Sequence, residues 1–186
     1  MNKYSIRNSF LLFTIFLIFY STFYLYFKHD VGNDWSISEW LINYKGGFTR
    51  RGLGGEINIF LSNFFSISLR DSIFFLQAIV HSIYLIFLFI YLKNFELDIL
   101  QIFALFSPLF LLYPIAELEA LGRKEILIFL FFTFLIFFST EKFHKNIANS
   151  IVFIFFPILC LIWEQIILFA PFFAVILINK NKLYSF

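Results

Sequence analysis

The stretch YKGGFTRRGLGGE, Tyr44 to Glu56, has the composition of an anion-binding site. Five of the chain's seven glycines, two adjacent arginines and a closing glutamate fall within these thirteen residues. Glycine permits positive φ and close backbone approach, so Gly46, Gly47, Gly54 and Gly55 are candidates to present backbone N–H groups as an anion nest. Arg50 and Arg51 add planar, permanently charged forks suited to phosphate oxygens. The order is not that of a P-loop, because G-x-x-x-x-G-K-[ST] is absent. The stretch therefore reads as a phosphate clamp; the plainer alternative is a turning loop whose arginines meet lipid headgroups.

Two further polar clusters interrupt apolar sequence. AELEALGRKE, residues 116–125, offers Glu117, Arg123, Lys124 and Glu125 as a charged rim, with Arg123 and Lys124 able to hold a second phosphate or simply to snorkel from a helix end. WEQ, residues 163–165, puts Glu164 inside an apolar run, where a carboxylate needs a partner, and an arginine from one of the two loops is the expected one. Gln77, His81 and Tyr84 form a polar stripe on one helix face and suit interhelical hydrogen bonding rather than a metal site. The single cysteine, Cys160, excludes an intrachain disulfide framework and a Cys-based zinc site. No metal, cofactor or nucleic-acid signal is present.

These clusters need elements to position them, and composition says what kind. The 186 residues are 61% hydrophobic, 24% aromatic and 14% charged, with mean hydropathy +0.86; soluble domains carry about 25% charged residues. This is the composition of an integral membrane protein. Thirty-two phenylalanines fit lipid-facing surfaces, which tolerate any apolar side chain. Lys3 and Arg7 precede an apolar run from Phe10 to Phe27, too long for the core of a signal peptide, so the beginning reads as an uncleaved anchor with a cytoplasmic amino end.

A helix crossing the hydrocarbon core needs about 20 apolar residues. Residues 9–28 and 72–92 qualify cleanly, residues 99–115 are just long enough, and residues 126–140 are short unless ALGRKE lengthens them at the amino end. Residues 147–178 are too long for one span, and WEQ suggests a hairpin of two shorter segments. In the first external loop, Ser36 and Glu39 have capping-box spacing, and Trp35, Trp40, Leu41 and Tyr44 give the aromatic face of a helix lying in the membrane interface. Residues 57–69 are expected to form an interfacial or re-entrant helix. The expected architecture is an all-α polytopic transmembrane bundle of about five or six spans, one integral membrane domain over residues 1–186. The same layout also suits the amino-terminal part of a longer protein.

In sequence, GGFTRRGLGGE after the first span, LGRKE at a later one and WEQIILFAP in the last apolar region resemble polytopic bacterial inner-membrane proteins of surface-polysaccharide type. These are broadly similar to GT-C glycosyltransferases and polysaccharide polymerases. The resemblance implies glycosyl transfer or polymerisation from a polyprenyl-phosphate-linked sugar at the extracytoplasmic face. It also implies an acidic catalytic residue early in the first external loop, which points to Asp34, with Asp30 and Glu39 as neighbours. Glu56 is the alternative general base. Arg50, Arg51, Arg123 and Lys124 would hold the lipid phosphate, with Glu125 and Glu164 supporting them. Such enzymes have more spans than this chain provides. A non-enzymatic lipid-phosphate or polysaccharide transporter component, or an inactive fragment, is the competing expectation. Membrane lipids and other membrane proteins are the expected partners.

Overall fold

A computed structural model describes residues 3–30, 34–93, 99–105, 107, 111, 120–140 and 145–183, and these contain helices and turns but no strand. The helices are α1 (Lys3–Asp30), α2 (Asp34–Leu41), α3 (Gly52–Phe65), α4 (Leu69–Leu92), α5 (Ile99–Leu105), α6 (Ile126–Thr140), α7 (Lys145–Ile162) and α8 (Ala170–Leu183). A 3-10 helix, Glu164–Phe169, precedes α8.

α1 buries Phe10, Thr14, Leu17, Ser21 and Leu25, a stripe at helical spacing. That stripe packs on α4 through Tyr84 and Leu85 at one end and Phe74 and Ala78 at the other. A further face of α1 is apolar yet uncovered, with Phe19 73% exposed beside exposed Leu12, Phe16, Phe23 and Phe27. Among the described residues two helices are long and apolar enough to cross a membrane, Arg7–His29 within α1 and Leu69–Leu92. These coincide with the two clean spans expected from sequence. Ile126–Phe138, Asn149–Ile162 and Glu164–Ile178 are apolar but shorter. Of the expected span 99–115, only Ile99–Leu105, Ser107 and Leu111 are among the described residues, so Pro108 and Pro114 lie outside them.

The chain breaks at WEQ. α7 runs through Pro157 and stops at Ile162, and Trp163 is extended at φ −150°, ψ 104°. Phe156 and Phe173, on either side of the break, bring their ring centroids to 5.8 Å. Seventeen residues of continuous helix would separate them by about 25 Å, so the chain reverses here, as the expected hairpin requires. Pro171 is at the second position of α8, where its missing N–H costs little.

The start of α4 is fixed by Ser68, whose Oγ accepts the Asp71 N–H at 3.1 Å. His29 Nε2 lies 3.1 Å from Asp71 Oδ1, and Arg70 Nη1 donates to the His29 carbonyl at 3.0 Å. This polar joint clamps the end of α1 to the start of α4.

Three local expectations are corrected. α2 begins at Asp34, so Ser36 is inside the helix and not its cap, and its buried Oγ has no hydrogen-bond partner among the described residues. Trp40 is no interface anchor: it is buried, and its Nε1 donates to the Gly122 carbonyl at 2.7 Å. ALGRKE does not extend α6, because Gly122 takes φ +92° and residues 120–125 form turns ahead of Ile126.

Candidate functional site

The glycine stretch splits into two parts with different work. Gly46 and Gly47 are exposed in a turn, where Gly47 at φ +114° donates its N–H to the Tyr44 carbonyl at 3.0 Å. Gly54 and Gly55 are buried in the first turn of α3. The Gly55 N–H donates to the Ile42 carbonyl at 3.1 Å, and a Cβ on Gly55 would sit 2.2 Å from that same oxygen. The expected anion nest at Gly55 is therefore not formed. Its glycine is required because two stretches of backbone touch, and its N–H is already used.

Other side chains secure that contact. Glu56 Oε1 accepts the Tyr44 N–H at 2.9 Å and closes the base of the loop. Asn58, fully buried, donates from Nδ2 to the carbonyls of Gly54 at 3.0 Å and Trp40 at 3.2 Å. Ser72 Oγ on α4 donates in turn to the Asn58 carbonyl at 3.2 Å. Sequence reasoning missed Asn58, although a lone amide one turn beyond paired glycines on an apolar helix is the available signal.

This frame carries Arg51 to the hairpin. Arg51 Nη2 and Nε donate to one oxygen, Glu164 Oε1, at 2.8 and 3.2 Å. A guanidinium held by its Nε–Nη2 edge keeps the terminal Nη1–Nη2 edge for a second anion, and that edge has no protein partner among the described residues. The Arg51 side chain is 37% exposed. The arginine–carboxylate pairing expected for WEQ is thus made, and by the glycine loop.

The second cluster reaches the same place from behind. Lys124 is 1% exposed, and its Nζ donates to the Ile162 carbonyl, the last residue of α7, at 3.0 Å. The amine also lies 5.7 Å from the Trp40 ring centroid. Burial pushes its pKa down to about 8; Glu39 opposes that shift and the Arg51 charge adds to it. A cation at a helix carboxyl end is favourably placed in the helix dipole. Lys124 therefore neither snorkels nor offers an open phosphate contact. Gln77 Nε2 joins Trp40 on the Gly122 carbonyl at 2.8 Å, so this member of the α4 polar stripe does bridge between elements.

The remaining candidates divide. Arg50 is exposed, and Arg123 pairs with Glu125 at 2.8 Å within its own turn. Asp34 is the first residue of α2, but its side chain, like Glu117, lies outside what is described. Among the described residues no three His, Cys, Asp or Glu side chains are grouped to hold a metal ion. The geometry brings Arg51, Glu164 and Lys124 together from the three polar clusters. No protein-family model, curated protein or solved structure matches the chain.

Proposed function

We propose that this chain is a multi-pass integral membrane protein, of about five or six spans, that binds the phosphate of a polyprenyl-linked sugar at its Arg51 face for glycosyl transfer. The setting is a bacterial inner membrane with the amino terminus cytoplasmic and the site extracytoplasmic. The uncovered apolar face of α1 supports the membrane part, since exposed patches of that extent need an apolar partner. The shorter apolar helices α6, α7 and α8 complete the bundle where the bilayer thins or helix ends snorkel.

The observation that carries the site is the Arg51–Glu164 contact. Glu164 fixes the plane of a guanidinium whose other edge suits two phosphate oxygens, and a preorganised cation is most effective where charge develops on a leaving group. Arg50 adds charge at the same loop. In the transfer reading Asp34 takes the proton of the acceptor hydroxyl. The sugar–phosphate bond breaks, the acceptor oxygen bonds to the sugar carbon, and Arg51 receives the departing phosphate.

The second reading is a non-enzymatic carrier of the same lipid phosphate. It is favoured by the hydrogen bond from the Tyr44 N–H to Glu56, which gives the alternative base a structural job. Both readings are tested on the reconstituted full chain. Arg51→Ala should weaken binding of polyprenyl monophosphate by about tenfold or more, the loss expected for a charge-assisted hydrogen bond. Asp34→Asn should keep binding and abolish sugar transfer. Full transfer in both Asp34→Asn and Glu56→Gln would exclude these carboxylates as the general base, and binding without any transfer by the wild type would exclude the enzymatic reading. Unchanged binding in Arg51→Ala would exclude both.

A further inference from the structure

The exposed turn of the glycine loop is built differently from the part that reaches Glu164. Phe48 is 80% exposed, and its ring stacks on Tyr44 with centroids 5.7 Å apart and planes within 4°. Tyr44 is itself held firmly: Glu56 takes its N–H, its carbonyl accepts from Gly47, and its ring lies where a Cβ on Gly52 would be. The aromatic pair is thus presented on a braced turn. Lys45, between the two rings in sequence, and Arg50, two residues after Phe48, are both exposed, and Glu56 is engaged at the base of the loop.

An uncovered phenylalanine backed by a second ring and bracketed by cations combines two affinities, one for acyl chains and one for anionic headgroups. Lys45 and Arg50 would stay at headgroup level while Phe48 enters below them. We infer that the Tyr44–Phe48 turn inserts into the bilayer surface at anionic lipids and so holds Arg51 at headgroup depth. The inference rests on the membrane reading and extends it: the loop's two halves separate lipid anchoring from ligand binding. Arg50 then adds its charge at headgroup level, beside the site that Arg51 forms.

The turn offers a position for a probe. A Cβ at Gly46 meets nothing within 4 Å and its φ is not positive, so Gly46→Cys is compatible with the fold. In a Cys160→Ser background this cysteine is labelled with a fluorophore, and the full chain is reconstituted in phosphatidylcholine vesicles carrying bromine on the acyl chains, with or without phosphatidylglycerol. A second protein carries the label at Phe19→Cys, on the exposed face of α1. The expected result is loss of fluorescence at both positions to brominated lipid, deeper at position 46 when phosphatidylglycerol is present. Phe48→Asp should restore the signal at position 46 and leave position 19 quenched. Quenching at position 19 without quenching at position 46 would overturn the inference and leave the membrane reading standing. Quenching at neither would overturn both. Quenching at position 46 that survives Phe48→Asp would also overturn it.

Discussion

Gly55→Ala is expected to destabilise the protein by at least about 1–3 kcal/mol, the range for forcing extra volume into a closed contact. Gly46→Ala, in the same loop, should stay within about 1 kcal/mol of the wild type. The contrast follows from what each new methyl group meets. At Gly55 it meets backbone, with the Ile42 oxygen at 2.2 Å and the Leu41 oxygen at 2.8 Å, and neither can rotate away as a side chain would. Relief requires α3 to move off the 41–44 segment, which also weakens the Gly55 N–H bond to Ile42 and strains the Glu56 clasp on Tyr44. Thermal unfolding of both variants in one detergent makes the comparison. Equal stability of Gly55→Ala and wild type would mean that α3 does not approach the loop this closely.

Lys124 should govern a second large effect, one that depends on pH. In the unfolded chain a lysine titrates near its ordinary value of 10.5, whereas in the folded protein Lys124 is pushed down to about 8. Between those values the unfolded state holds more protons on this residue than the folded state does, so stability rises with pH across that window. Below about pH 8 both states are protonated and the contribution is constant. Relative to Lys124→Met, which keeps the volume and cannot titrate, the wild type should gain stability from pH 8 to 10.5, by at most about 3 kcal/mol. Lys124→Ala should cost about 2–4 kcal/mol near pH 7, because it opens a cavity and leaves the Ile162 carbonyl without its donor, and the cost should grow as pH rises through the same window. Paired denaturation series of the wild type and Lys124→Met check the slope. Parallel curves would show that Lys124 is not buried.

The elements that follow from hydrophobic length were legible in the sequence. Residues 9–28 and 72–92 are expected as helices because a predominantly apolar run of that length, if it crosses a membrane, has few other ways to satisfy its backbone. The break at WEQ was legible for the related reason that a carboxylate is costly in the middle of an apolar helix. Its arginine partner followed from the same cost, although which arginine did not. What escaped was every feature decided by a distant neighbour. Glycine serves both positive φ and the absence of a Cβ, and sequence does not separate the two uses. At Gly47 the first applies; at Gly55 the second does, because Ile42 arrives against it. Lys124 looked like a snorkelling charge since its arm reaches in either direction, and the reversal at Gly122 sends it inward to Ile162. Trp40 looked like an anchor for the same want of a partner, which the Gly122 carbonyl supplies.

The claim on which the rest depends is that the glycine loop and the WEQ hairpin meet at one membrane face. It is tested most directly with Arg51→Cys and Glu164→Cys, singly and together, in a Cys160→Ser background in intact cells. The expected result is that each single cysteine reacts with a membrane-impermeant thiol reagent from outside, and that a short bismaleimide joins the two in the double variant. Reaction of the two cysteines from opposite sides, with no cross-link between them, would contradict it and dissolve the shared site.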